Sequence, residues 1–558
     1  MVLYAGPLQM LYERGFVRYI GYQDSEILRM IYFALRDENW DTCEHVILRE
    51  EKDITWETFT IHYESVSRQH SQDLIRWDCR IEGSPDSSIR FTIHGEVLKD
   101  IKKNRAGFCV LHPLKNVTGQ PVEIVEASGS ARSGYFPVEV APRNPFRNIR
   151  KLKWNFENKW YELSFEGDVF ETEDQRNWID TSFKTFCTPS DLPIPVTLVA
   201  GTQIFQRVTF RPLEKLQPIT SHQSTIIQLD KSGERTKLPA VGVFLAEDHE
   251  NTATAASQLI RQLGLDHLAI EVNASSPHWV SALSRQCEFA HSLALPLSIK
   301  FHAGSSSSES LQALALLIQQ NRLNVKDITF LSGNEPVTSA ALLQALGASK
   351  NLFMKVEVGA GTLSDFKNIN RHRFDAAGVD FISYGANPQV HAFDDRTLIE
   401  NIDGFRETGK SAASIYQGKA IHISPVSLRD RSMKVADPRQ KTEFAALWAF
   451  GALRAAAEGR VSSLTLFETT GDKGIVSAEG VPYPVFSTLE KLLRFRNHEM
   501  VVLKNSEPLL IDAMLLTNDS YTTLLLVNYT DDLQTVRYGR NEFQVAPLQM
   551  HEVNLSGT

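Results

Sequence analysis

"ITFLSGNEPVTSAALLQALG", residues 328–347, passes through three kinds of backbone in one short run. Ile328, Phe330 and Leu331 are strand material, Gly333 and Pro336 are breakers, and the alanine- and leucine-rich stretch that follows is helical in pattern. Glu335 therefore stands where a strand emerges into a loop. The same strand, loop and helix unit recurs on both sides. Further candidate strands are "VGVFLAE" (241–247), "LAIEVN" (268–273), "PLSIKFH" (296–302), "FMKVEVG" (353–359), "VDFISYG" (379–385), "IHISPVS" (421–427) and "SSLTLFE" (462–468). Amphipathic segments such as "TAASQLIRQLG", "SAALLQALGASKN" and "QKTEFAALWAFGALRAAAEG" separate them. Eight such units between residues 237 and 494 have the size and rhythm of a (β/α)8 TIM barrel. A doubly wound dinucleotide fold is disfavoured, because the first strand runs into "AEDHENTAT" with no GxGxxG. "GSSSSES" (304–310) reads as a barrel loop with a helix N-cap.

The flanks have a different texture. Residues 1–236 alternate with period two in "GFVRYIGY", "TFTIHYESV", "IRFTIHGEVL" and "WYELSFEGDVFETE", the pattern of an antiparallel β-sandwich. Residues 495–558 return to alternation in "TTLLLVNYT", "QTVRYG" and "FQVAPLQMHEVNL", which predicts a small C-terminal β domain. The 558 residues are 42% hydrophobic and 22% charged, ample for more than one core. A formal net charge of -9 without a Lys/Arg run argues against nucleic acid as a partner. No basic-then-apolar leader and no long apolar run argue against a membrane, so a cytoplasmic protein is expected. Five scattered cysteines lack CxxC spacing and read as free thiols.

In barrels of this kind chemistry gathers where strands end and βα loops begin. The polar residues read at those positions are Glu271 and Asn273 on the second strand, His302 on the third, Asn334 and Glu335 after the fourth, Glu357 in the fifth, Tyr384, Asn387 and His391 after the sixth, Arg429 after the seventh and Glu468 on the eighth. Each also has a structural reading: Glu271 and Glu357 could pair with a neighbouring Arg or Lys, and His302 could be a satisfied core histidine. Glu335 and Glu468 stand apart because each ends a hydrophobic strand and is followed by turn chemistry. Two carboxyl groups converging in a partly dry cleft can have their proton affinities driven apart, one donating and one accepting. No HExxH, GxSxG elbow or Walker loop is present, so no metal and no cofactor are assigned, with a lone metal on His302, Glu357 or His391 left open. "ETEDQRNWIDTSFKTF" (171–186) packs charge around Trp178; it reads either as a joint between domains or as a segment bringing Arg176 and Asn177 to substrate oxygens.

Asn334-Glu335-Pro336 resembles the acid/base signature of the retaining (β/α)8 glycoside hydrolases of clan A. In that clan the nucleophilic Glu closes strand seven, whereas here the second Glu falls on the eighth. A second resemblance spans nearly the whole chain. "ALRDENWDT", "FEGDVFETEDQRNWIDTSFKTF", "NPQVHAFDD", "SPVSLR", "DPRQ" and "LTLFETTG" resemble segments of the D-apionate lactonase family, which hydrolyses D-apionolactone in the catabolism of apiose. This resemblance implies a hydrolase whose partner is a small sugar lactone; a homo-oligomer is left open. For a lactone opened by paired glutamates, Glu468 would be the general base and Glu335 the acid, with Asn334, His302 or Arg429 at the oxyanion. The alternative is a retaining glycosidase acting on a small glycoside.

Overall fold

The computed structural model describes residues 1–218, 226–304 and 307–555. Ser305 and Ser306 of the serine-rich loop lie outside them. The chain divides into two compact units, Met1–Gln175 with Ser182–Gln223, and Arg176–Thr181 with Ser224–Thr558.

In the first unit seventeen strands form one continuous antiparallel network. Alternation does the work: along Leu8–Glu13 every second side chain is buried, and Phe59–Gln69 pairs with Gln72–Gly83 along its whole length, with one register shift between Ser67 and Arg68. The buried face carries Trp77, Phe91, Phe108 and Trp154, with Phe33 and Trp77 rings 5.0 Å apart. Aromatic and β-branched side chains on a half-buried pleat are what such strands favour.

The second unit contains the barrel. Its strands are Ala240–Phe244, His267–Asn273, Leu297–His302, Val325–Leu331, Glu357–Asp365, Phe381–Ala386, Ala420–Val426 and Ser463–Thr470. Each pairs in parallel with the next, and the eighth closes on the first. All eight predicted strands are therefore present, and all eight C-terminal ends share one mouth. The fifth departs from expectation in its limits. "GAGTLS" (359–364) has loop composition, yet Gly359 to Thr362 are buried strand. The reason is space: a Cβ on Gly361, at φ +145°, would lie 1.9 Å from the Ser383 carbonyl oxygen. Glu357 consequently opens the strand at the far end from the mouth, and Asp365 closes it.

A seven-stranded sheet completes this unit. Ile226–Lys237 lies inside it, parallel to Gln534–Tyr538 and antiparallel to Glu499–Asn505. The sheet built largely from the C-terminal region thus takes one strand from the stretch read as sandwich. Between barrel and sheet runs the helix Glu443–Glu458, twelve of whose residues are buried. Its Arg454 reaches Asp403 at 2.8 Å, Glu458 at 3.1 Å and Asp512 at 2.7 Å, while Arg406 adds Asp403 at 3.1 Å and Glu458 at 3.3 Å. Among the described residues no helix is long and apolar enough to cross a membrane.

Candidate active site

Strand eight sets the geometry of the mouth. Gly242 and Phe244 of strand one, two residues apart, face Thr465 and Glu468 of strand eight, three apart. The extra residue is a β-bulge with Phe467 at φ +59°, a left-handed conformation that a bulky side chain rarely adopts. Thr465 faces the lumen, where its hydroxyl meets His267 Nε2 at 2.9 Å. Without the bulge, alternation would give the next lumen position to Phe467 and turn Glu468 outward. The bulge aims the carboxylate into the mouth.

Glu468 is buried and lies 3.1 Å from Arg431 Nε, an ion pair without hydrogen-bond alignment. Arg431 also donates from Nη1 to Glu271 Oε2 at 3.0 Å, and Glu271 Oε1 meets His302 Nε2 at 3.0 Å. Its guanidinium stacks 4.0 Å from the centre of the Phe244 ring, and its carbonyl accepts from Lys473 Nζ at 2.8 Å. One cation thus ties strands two and eight together, with His302 on strand three at the end of the chain of contacts.

The two carboxylates behave oppositely. Burial raises the pKa of Glu468 and Glu247 adds repulsion, against the smaller pull of Arg431 and Lys473. Burial also acts upward on Glu271, but the His302 hydrogen bond and the Arg431 charge outweigh it and hold that carboxyl below its ordinary value. Glu468 is the readier proton acceptor, Glu271 a fixed anion. Beside Glu468 lies a narrow pocket of about 20 Å³, lined also by Arg429, Asp430, Arg431 and Lys473. That is room for one water, which needs roughly 10–15 Å³ or more.

Deeper in the lumen, Lys300 is fully buried with Nζ 3.1 Å from Thr329 Oγ1, and burial pushes its pKa down to about 8 despite Asp327. His422 stacks on Phe381 at 4.0 Å. These fill the barrel beneath the mouth.

Across the mouth, Asp365 has its pKa pushed up to about 6, first by burial, then by Asp430 and Asp180, with Lys367 opposing. Asp180 belongs to the six residues Arg176–Thr181, which are part of this unit. Its Oδ2 lies 2.5 Å from His391 Nδ1, and its Oδ1 accepts from Asn401 Nδ2 at 2.8 Å. Among the described residues no three His, Cys, Asp or Glu side chains gather as a metal site.

The residues picked from sequence separate accordingly. Glu468, Glu271, His302 and Arg429 share the strand-eight side of the mouth, and His391 lies on the strand-six loop. Glu335 does not join them. It is exposed beside exposed Asn334, and it lines a separate groove of about 610 Å³ with Ser339, Gln344, His372 and Arg373. Glu335 and Glu468 therefore line different cavities, and the charged partner beside Glu468 is Arg431. Glu357 sits at the opposite end of the barrel for the reason given above. Tyr384 points outward from strand six, fully buried, with its hydroxyl donating to Thr408 at 3.0 Å. Asn273 and Asn387 turn their side-chain oxygens back on local backbone, accepting from Ser275 N at 3.0 Å and Gln389 N at 3.3 Å. Arg176 is fully buried 3.3 Å from Glu407, and Asn177 accepts from Asn370 Nδ2 at 3.0 Å, so both anchor the segment. Sequence reasoning missed Arg431 and Asp365, and it met Lys473 and Asp180 only as members of longer segments, with no role in the site. Arg431 was within reach in "SLRDR", but counting from a strand end favours its neighbour Arg429.

Comparison with known proteins agrees with this barrel and with a domain that precedes it. A model of the D-apionate lactonase N-terminal domain matches residues 1–215, and one of the D-apionate lactonase TIM barrel domain matches residues 241–497. The chain belongs to the D-apionate lactonase family. It is accordingly an enzyme of the lactonase class. A D-apionate lactonase from Brucella anthropi is 26% identical over 575 residues, covering 96% of this chain and 93% of that protein. Solved structures similar to it include the GH51 arabinofuranosidase from Xanthomonas axonopodis pv. citri, with 11% identity, TM-score 0.43, and 56% of this chain and 87% of that one covered. The GH30 endoxylanase from Clostridium papyrosolvens C71 gives 12% identity, TM-score 0.40, and 57% and 88% coverage. Likeness this loose carries no argument about chemistry.

The charges around Glu468 make a prediction about acid sensitivity. A carboxylate that accepts a proton works only when ionised, so kcat/KM falls as pH drops through its raised pKa. Removing the attraction of Lys473 raises that pKa further, and removing the repulsion of Glu247 lowers it. Lys473→Met should move the acid limb to higher pH and Glu247→Gln to lower pH. A pH profile in which neither limb moves would show that another group controls it.

Proposed function

We propose that this member of the D-apionate lactonase family opens a sugar-acid lactone, D-apionolactone to D-apionate, with Glu468 as general base. The single observation that carries the reading is a buried, bulge-aimed carboxylate of raised pKa on a pocket sized for one water. The water attacks the lactone carbonyl as Glu468 takes its proton; Arg429 and Lys473, which line the same pocket, stabilise the oxyanion. Glu271, held by Arg431, and His302, held by Glu271, contact the hydroxyls of the sugar acid. A retaining glycosidase asks for two carboxyl groups about 5–5.5 Å apart. Glu335 and Glu468 line different cavities.

A pH-stat assay across a panel of aldonolactones tests this. One equivalent of acid per lactone is expected, with D-apionolactone the best substrate and no reducing sugar released from chromogenic glycosides. Failure to open any lactone, or release of a sugar, would overturn it.

A further inference from the structure

Lactone opening needs a proton for the departing ring oxygen, and a second positioned group can supply it while the base takes one from water. Glu335 is in another cavity. We propose that His391 is the catalytic acid of this site and that Asp180, delivered by the segment Arg176–Thr181, is its positioning residue. The inference rests on the lactonase reading above.

Three observations converge on it. First, Asp180 is a fully committed carboxylate: one oxygen lies 2.5 Å from His391 Nδ1 and the other accepts from Asn401 at 2.8 Å. A buried carboxylate on one imidazole nitrogen fixes the tautomer, orients the ring and stabilises its protonated form, which presents a proton at Nε2. Second, the segment is anchored well beyond what one ion pair needs. Thr181 N donates to Asn401 Oδ1 at 3.2 Å and Thr181 Oγ1 to the Glu400 carbonyl at 2.7 Å, and Arg176 and Asn177 are tied to Glu407 and Asn370. The Ile179 carbonyl presses so close to Gly404 that a Cβ there would meet it at 1.9 Å. Trp178 packs edge-on to the His391 ring, 5.2 Å between centres. Third, the strand-six loop carrying His391 is fastened to the pocket holding Glu468. Gln389 Nε2 donates to the Leu428 carbonyl at 2.7 Å and to Asp437 Oδ2 at 2.5 Å, and Leu428 and Asp437 both line that pocket. Charged groups that face Asp180 and its Trp178 neighbour include Asp365, which also feels Asp430 and Lys367, and Lys367 and Arg371 on the Trp178 ring.

The step balances. Water adds to the carbonyl carbon and its proton goes to Glu468; the tetrahedral intermediate collapses with cleavage of the bond to the ring oxygen. That oxygen takes the His391 proton and becomes a hydroxyl. The proton on Glu468 returns to His391 through solvent.

Leaving-group dependence is the test. D-apionolactone is compared with its analogue bearing sulfur in place of the ring oxygen, whose thiol has a pKa near that of cysteine, about 8.5, and departs without protonation. His391→Gln should lose about 10²-fold in kcat on the oxygen lactone, the usual scale for a positioned acid, and only a few-fold on the thiolactone. Glu468→Gln should lose on both. Asp180→Asn, which keeps the side-chain volume, should show the same split as His391→Gln and gives the answer if that variant fails to fold. Equal losses on the two substrates, or no loss on either, would overturn the inference. Wild-type protein that opens neither lactone would instead defeat the lactonase reading itself.

Discussion

Glu468→Gln is expected to lower kcat on D-apionolactone by about 10²-fold or more while leaving the melting temperature within a few degrees of wild type. The magnitude is that of positioned general-base help, which contributes roughly 10²–10⁴-fold. Stability should hold because the Arg431 contact to Glu468 is an unaligned ion pair, and Arg431 keeps Glu271 and the Phe244 face. The amide also relieves a burial cost, since burial is the largest influence on this carboxyl. Single-turnover kinetics with measured substrate binding would separate the two effects. Turnover within about threefold of wild type, with binding intact, would remove Glu468 from the chemistry.

The second large effect lies far from the mouth. Arg454→Met should destabilise the fold by roughly 3–5 kcal/mol, because it leaves the buried Asp512 and the half-buried Asp403 and Glu458 without the cation they share. The loss should shrink under acid. In the wild type, Arg406 and Arg454 together overcome burial and hold Asp403 far below its ordinary value. A depressed carboxyl contributes stability above its unfolded pKa, about 3.9, and loses it as pH falls through the folded value. In the variant the stranded carboxyls titrate higher and can protonate, so the gap in melting temperature should narrow from pH 7 to pH 4.5. A constant gap, or one below about 1 kcal/mol at pH 7, would mean that Arg406 alone carries the cluster.

The barrel was readable because each strand is a short apolar run bounded by breakers and followed by a helical pattern, as in "ITFLSGNEPVTSA". The antiparallel unit was readable because alternation declares which face is buried. The mouth was half readable. Glu468, Glu271, His302 and His391 are polar residues near strand ends or in the loops that follow them, and position alone marked them. Tyr384 and Glu357 were marked by the same rule and went elsewhere. Tyr384 has odd parity on its strand, and the fifth strand continues through glycines that composition assigns to a loop.

Local sequence determined where strands start, which faces are apolar and that polar groups collect at one end of a parallel ring, since these follow from side-chain period and backbone preference over a few residues. Only the tertiary structure decided which of those groups meet. A single bulge at Phe467 turns Glu468 inward, Glu335 lines a different cavity, and Arg431 and Asp180 arrive from a loop and from a segment more than two hundred residues away from its partner histidine. Such meetings depend on strand register and chain path, quantities that no window of neighbouring residues contains.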